Sequence, residues 1–196
     1  EDELWSILHK TNIEHGGEWI ECRILSSGIR TNPWMQESSN KIIQSGEIVS
    51  FDTDMVGPYG YCADISRTYV EGNKFSESQK KLYLMAVEQI NHNSRLIKPG
   101  MSFKEFTKKS WVLPEEYFGN RYSVMVHGIG LCDEWPAIRY PADGGERSGV
   151  FETNMTITVE SYIGKVGGKE GVKLEQQYLI GENGLELMSN HPLEDL

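Results

Sequence analysis

The sequence predicts an α+β fold of a single domain, and three observations support that prediction. The chain has 196 residues, enough for one domain with a sizeable core. Runs with helical periodicity alternate with β-rich runs along its whole length. The sequence also contains a weak internal repeat. In each half a helical segment, "EDELWSILHK" or "MSFKEFTKKS", is followed by predicted strands. The expected domain, residues 1–196, therefore has two related halves.

The first half is predicted to be a helix, a strand and a hairpin. Residues 2–14 carry apolar side chains at helical spacing and end at a Gly-Gly pair. Residues 18–25, "EWIECRIL", alternate as a strand does. Two β-rich runs, 46–55 and 61–70, flank the turn "VGPYG" and predict a hairpin.

The second half is predicted to contain the longest helix, over residues 76–97. Ser76 is a suitable N-cap, and Pro99-Gly100 stops the helix. A long loop is expected over residues 132–149. The remaining predicted elements are a short helix and three strands, at 102–111, 122–131, 155–164 and 171–181.

Composition excludes some classes of function. The net charge of −10 argues against a nucleic-acid partner, which would require a basic patch. No apolar run approaches the roughly 18 residues of a membrane span, so no membrane partner is expected. Three widely spaced cysteines are typical of reduced thiols in a cytoplasmic protein. Because the chain begins without Met and inside a helical pattern, we expect that it is truncated at its N-terminus.

Three aspartates in the predicted hairpin require an explanation, because a buried carboxylate is costly unless it is paired or binds a metal. Asp52 and Asp54 are two residues apart, so on a strand both would point to one face. Asp64 lies on the partner strand, and all three can converge. A single aspartate in such a hairpin would more often cap a turn or pair with Arg67, but two on one strand face favour a shared site.

The second half offers matching ligands in His127, Glu160 and Glu175, each within an apolar, β-rich stretch. Taken singly, a histidine at a strand end is more often structural, and a strand glutamate is usually solvated. Together the six side chains form an oxygen-rich set with one nitrogen. Such a set suits two adjacent divalent cations and suits a structural zinc poorly.

The order of these acids, with "GYCADISRTY", "VHGIG", "TITVESYIG" and "GVKLEQQ", resembles the pita-bread metallopeptidase superfamily of methionine aminopeptidase, aminopeptidase P, prolidase and creatinase. The resemblance covers residues 2–181. It implies a catalytic domain of two pseudo-symmetric αβ halves around a curved antiparallel sheet, with a dinuclear metal site in its concavity.

The chain departs from the peptidase pattern at two histidine positions. Trp34 stands near the first, and "CDEW" replaces the pair that follows the glycine turn. Both histidines serve amide hydrolysis in the peptidases, so these changes weigh against peptide cleavage. "FDTDMVGPYGYCADISRTY" and "HGIGLCDEWP" resemble an offshoot of the superfamily, the DddP-type dimethylsulfoniopropionate (DMSP) lyases, which produce dimethyl sulfide and acrylate.

The lyase resemblance implies a role for each matching residue. Asp133 would be the catalytic base, and Tyr122 would line the substrate pocket. The cationic sulfonium group of DMSP suits aromatic side chains, and Trp34, Trp135 and Tyr59 are further candidates for this contact, although each is equally compatible with core packing. The implied metal ligands are Asp52, Asp54, Asp64, His127, Glu160 and Glu175.

The resemblance also implies partners and cofactors. The substrate would be a small zwitterion and the protein a homodimer, with a further N-terminal domain in the family. Two divalent metal ions are expected, iron first, while Mn, Co or Zn also suit the ligand set. One alternative function is an Xaa-Pro aminopeptidase or dipeptidase using the same metals. A second is a binding module that has lost its metals, which the complete set of ligand motifs disfavours.

Overall fold

A computed structural model of the chain describes residues 1–145, 148–194 and 196. Its α-helices are α1 (Asp2–Glu14), α2 (Glu77–Leu96), α3 (Phe103–Lys109) and α4 (Glu115–Phe118). Its strands are β1 (Trp19–Ile20), β2 (Leu25–Ser27), β3 (Ile48–Asp52), β4 (Met55–Val56), β5 (Cys62–Ala63), β6 (Ser66–Val70), β7 (Val124–Gly128), β8 (Ala137–Arg139), β9 (Thr156–Gly164), β10 (Gly171–Gly181) and β11 (Gly184–Leu187). Short 3-10 helices cover Gly28–Thr31, Pro58–Gly60 and Pro141–Asp143.

The strands form three antiparallel sheets. The largest has the order β11-β10-β9-β7-β8, and the others have the orders β2-β3-β6 and β1-β4-β5. Helix α2 packs on β9 and β10 and buries Tyr83, Ala86 and Ile90 in the main apolar core. The Ser76 hydroxyl caps α2, as predicted, and forms a capping box with Gln79.

Side-chain hydrogen bonds join the largest sheet to β6 of its neighbour. The Thr68 hydroxyl on β6 donates to the Lys173 carbonyl on β10 at 2.7 Å and accepts from the Lys173 amide at 3.2 Å. The buried Arg67 guanidinium donates to the Glu175 carbonyl at 2.6 Å. These bonds hold β6, and with it the paired strand β3, against β10, next to the acidic residues.

Several sequence expectations need correction. Residues 18–25 form no continuous strand, because β1 and β2 belong to different sheets. The predicted loop at 132–149 contains β8, which pairs with β7. Helix α4 and strand β11 were not predicted, since neither four-residue segment is long enough to show a clear period. No helix among the described residues is both long enough and apolar enough to cross a membrane.

The predicted hairpin over residues 46–70 exists, but both of its strands break in the middle. Its outer part pairs β3 with β6, and its tip pairs β4 with β5 in another sheet. Asp54 lies in the break with a φ of 35°, outside any strand. The prediction that strand alternation places Asp52 and Asp54 on one face is therefore wrong, although both side chains reach the same site.

Candidate metal centre

The two strand breaks turn Asp54 and Asp64 towards each other. The Asp54 amide donates to Asp64 Oδ1 at 3.1 Å. The Thr53 hydroxyl accepts from the Ile65 amide at 2.9 Å and lies 3.3 Å from Asp64 Oδ1. A continuous hairpin would leave these backbone groups to pair across the ladder, so the breaks are what bring the aspartates into the site.

The structure brings all six predicted metal ligands together, and each is at most 7% exposed. Glu160 on β9 and Glu175 on β10 are direct cross-strand partners. His127 on the neighbouring β7 lies against them, and the aspartates come from the β3–β6 hairpin. The predicted ligands that meet here are Asp52, Asp54, Asp64, His127, Glu160 and Glu175.

The imidazole of His127 is at the centre of one half of the cluster. Its Nε2 is 3.1 Å from Glu175 Oε1, 3.4 Å from Glu160 Oε1 and 3.7 Å from Asp64 Oδ2. Its Nδ1 lies 3.0 Å from the Gly128 carbonyl, an acceptor that holds the proton on Nδ1 when the ring is neutral. The Nε2 lone pair then faces three carboxylate oxygens, an arrangement that requires a proton or a cation between them.

The distances from His127 Nε2 to Glu175 and Glu160 fit a metal ion, and the 3.7 Å distance to Asp64 is a few tenths of an ångström longer. Ligand atoms bound to one ion at about 2.1 Å lie roughly 3.0–3.4 Å apart when the angles between them are between 90° and tetrahedral. The side chains of Asp64, His127 and Glu175 can hold one ion, and those of Asp54, Asp64 and Asp133 a second. Asp54 Oδ2 and Glu160 Oε1 are buried without a hydrogen-bond partner among the described residues. We conclude that the residues present suit divalent metals.

Electrostatics leads to the same conclusion. Burial, reinforced by the charge of Asp52, raises the pKa of Asp54 to about 9. Burial together with Glu175 raises the pKa of Glu160 to about 8 and that of Asp64 well above its usual range. Carboxylates with such pKa values are unstable as neighbouring anions unless cations compensate them.

Lys173 is a part of the cluster that our reading of the sequence missed. It lies on β10 and is fully buried, with Nζ 3.1 Å from Asp52 Oδ2, 2.9 Å from Glu160 Oε2 and 2.8 Å from Glu175 Oε2. The pattern "VKLE" held a signal, because residues two apart on a strand share a face, and that face carries Glu175. A lysine there has to be buried beside an acid.

Asp133 lies at the edge of the cluster. Its Oδ1 is 3.9 Å from His127 Nδ1 and accepts a hydrogen bond from the Glu134 amide at 2.9 Å. Glu134 has a φ of 54°, the left-handed region, which turns the chain so that Asp133 points inward. Burial raises the pKa of Asp133 to about 6, against the lowering effect of His127.

The four predicted aromatic contacts divide into two pairs. Trp34 is buried, and both its ring and that of Tyr122 lie near the Lys173 ammonium, with centroids 5.7 and 5.3 Å from Nζ. The Tyr122 hydroxyl donates to Glu134 Oε1 at 3.0 Å. Tyr59, 90% exposed, and Trp135, 59% exposed, extend into solvent, although Trp135 borders a cavity of ≈420 Å³ beside His127.

A buried cluster of carboxylates and one imidazole where two antiparallel sheets meet is typical of metal-dependent enzymes. The comparison with protein families identifies that class more narrowly. The family model described as metallopeptidase family M24 matches residues 1–182. The chain belongs to metallopeptidase family M24.

The relatives confirm the expected resemblance. The chain is 44% identical to a protein named dimethylsulfoniopropionate lyase DddP from Roseovarius nubinhibens and 42% identical to one of the same name from Roseobacter denitrificans, over 99% of this chain and 44% of each relative. The chain thus spans less than half the length of these relatives. A solved Xaa-Pro dipeptidase from Bacillus anthracis superposes with a TM-score of 0.85 at 27% identity, over 99% of this chain and 54% of that one. The predicted α+β pita-bread fold is confirmed.

Proposed function

We propose that this chain carries the catalytic site of a DMSP lyase, which releases dimethyl sulfide and acrylate by β-elimination. The observation that carries the proposal is the placement of Asp133, a partly buried carboxylate beside the candidate metal ligands. The two relatives named as DMSP lyases support the choice of substrate. Family membership alone would equally suit an Xaa-Pro dipeptidase.

The elimination requires one base and no acid. Asp133 removes a proton from the carbon next to the substrate carboxylate, the electron pair forms the new carbon–carbon double bond, and the carbon–sulfur bond breaks with its electrons on sulfur. Dimethyl sulfide leaves neutral, so nothing has to protonate it, and acrylate keeps the carboxylate. One aspartate without a partner acid is therefore sufficient.

Divalent metals held by the cluster would stabilise the negative charge that develops on the substrate carboxylate, a Lewis-acid role. The ligands proposed are Asp52, Asp54, Asp64, His127, Glu160 and Glu175, and iron is the proposed metal. An oxygen-rich set with one imidazole also accepts manganese, cobalt or zinc. We further propose a homodimer, as the lyase resemblance implies.

The first experiment is headspace detection of dimethyl sulfide. Protein loaded with Fe(II) or Mn(II) is incubated with DMSP and, separately, with a proline dipeptide. We expect dimethyl sulfide from the first and no cleavage of the second. Dipeptide cleavage without dimethyl sulfide would instead assign the chain to the peptidases.

The rate of elimination should depend on the ionisation of Asp133. A base acts only when deprotonated, so kcat/KM should fall about tenfold per pH unit below the pKa of Asp133. That pKa is about 6 without metals, and nearby cations would lower it. We therefore expect the acid limb of the profile at pH 6 or below. A limb centred above about pH 7 would contradict Asp133 as the base.

Tyr122 should contribute to substrate binding. Replacing it by leucine removes a ring that can face the sulfonium, an interaction of about 0.5–2 kcal/mol, and should raise KM about 2- to 30-fold. Tyr61→Leu is the matched control, because that tyrosine is exposed and is not a candidate substrate contact. Metal content should stay unchanged in both variants. Equal KM values for Tyr122→Leu and the wild type would remove Tyr122 from the substrate site.

A further inference from the structure

The ammonium of Lys173 makes several polar contacts within the acidic cluster. It contacts acceptors on four strands, because Asp52 lies on β3, Ser66 on β6, Glu160 on β9 and Glu175 on β10. Lys173 is fully buried. Its ammonium is therefore enclosed by the oxygen atoms that it contacts.

The two carboxylate oxygens of Glu160, and likewise those of Glu175, contact different groups. Glu160 and Glu175 each direct Oε2 to Lys173 Nζ, at 2.9 and 2.8 Å. Each directs Oε1 towards His127 Nε2, at 3.4 and 3.1 Å, which is the side where a metal fits. Fixing one oxygen of a carboxylate fixes the direction of the other, because the group is planar. Lys173 thus determines where the metal-facing oxygens lie.

We propose that Lys173 is a positioning residue of the metal centre, holding one oxygen each of Asp52, Glu160 and Glu175 so that the metal-facing oxygens of the glutamates are preorganised. Ser66 assists, because its hydroxyl lies 2.7 Å from Lys173 Nζ and 2.9 Å from Glu175 Oε2. The inference rests on the proposed metal centre and is independent of which substrate the site cleaves.

The test is metal binding by Lys173→Met, a neutral side chain of similar length. Co(II) is titrated into metal-free protein, and both the affinity and the visible spectrum are recorded. Loss of a partner that orients metal ligands costs about 10- to 100-fold in metal affinity, and we expect that loss together with a changed spectrum. Lys173→Arg, which keeps the charge, should recover part of both.

The matched control is Lys165→Met, which applies the same substitution to an exposed lysine paired with Glu116 at 3.1 Å. It should bind Co(II) as the wild type does. Wild-type affinity and spectrum in Lys173→Met would overturn the inference. Tighter binding would also overturn it, because the ammonium would then act only as a competing charge.

A milder variant, Ser66→Ala, tests the same point if Lys173→Met does not fold. It keeps the lysine but removes one of its acceptors, so a smaller shift of the Co(II) spectrum in the same direction is expected, and an unchanged spectrum would count against the proposal. Wild-type protein that binds Co(II) but releases no dimethyl sulfide would refute the lyase function and leave the Lys173 test valid. An active wild type with an unaffected Lys173→Met variant would refute only the inference.

Discussion

Replacement of Asp133 by asparagine is expected to lower kcat for dimethyl sulfide release by about 10²- to 10⁴-fold, the usual contribution of a general base. Asparagine keeps the shape of the side chain, and its oxygen can still accept the 2.9 Å hydrogen bond from the Glu134 amide. The loop should therefore keep its conformation. What disappears is the group that removes the proton.

Metal analysis separates this role from metal binding. Asp133 can share an ion with Asp54 and Asp64, so it could be a ligand instead of a base. If it is the base, Asp133→Asn keeps the full metal content and loses activity. Loss of one metal together with the activity would make Asp133 a ligand. Asp2→Asn, an exposed position that receives a hydrogen bond from Ser38, is the matched control and should behave as the wild type.

The parts of the fold that local signals specify were predictable. Helix α2 begins one residue after its predicted cap, because Ser76 and Gln79 form a capping box detectable in the sequence. Strands β9 and β10 also lie within a residue of their predicted bounds. In each case a continuous apolar pattern lies between clear stop signals, and tertiary contacts did not override it.

The parts that depend on contacts across the fold were not predictable in the same way. The break at Asp54 follows from hydrogen bonds that Thr53 and the Asp54 amide make to residues 63–65, and the sequence has no glycine or proline there to mark it. Lys173 was overlooked because a lysine in a strand is normally solvated. The alternation with Glu175 indicated that the two side chains share a face, and the packing of β3 and β6 against β10 shows the further acid that encloses the lysine.

The candidate metal ligands could be named from sequence because their order matches a family motif, but the sequence could not show which of them lie close enough to share an ion. The structure places Asp64 in both candidate groups, with His127 and Glu175 in one and with Asp54 and Asp133 in the other. His127 belongs to one group only. Removing Asp64 should therefore affect both candidate ion sites, whereas removing His127 should affect one.

Asp64→Asn should therefore lose both metal ions, whereas His127→Gln should lose one and retain the other. The asparagine oxygen can still accept the hydrogen bond from the Asp54 amide that Asp64 Oδ1 now accepts, so the hairpin should remain folded. The amide carries no charge, however, and hard divalent cations bind a carboxylate more strongly. Elemental analysis after dialysis gives the metal content, with Asp2→Asn as the control, and dimethyl sulfide release should be abolished in Asp64→Asn.

One metal ion retained by Asp64→Asn would show that the two candidate ion sites do not share the Asp64 carboxylate. The arrangement in which Asp64 bridges both ions would then be wrong.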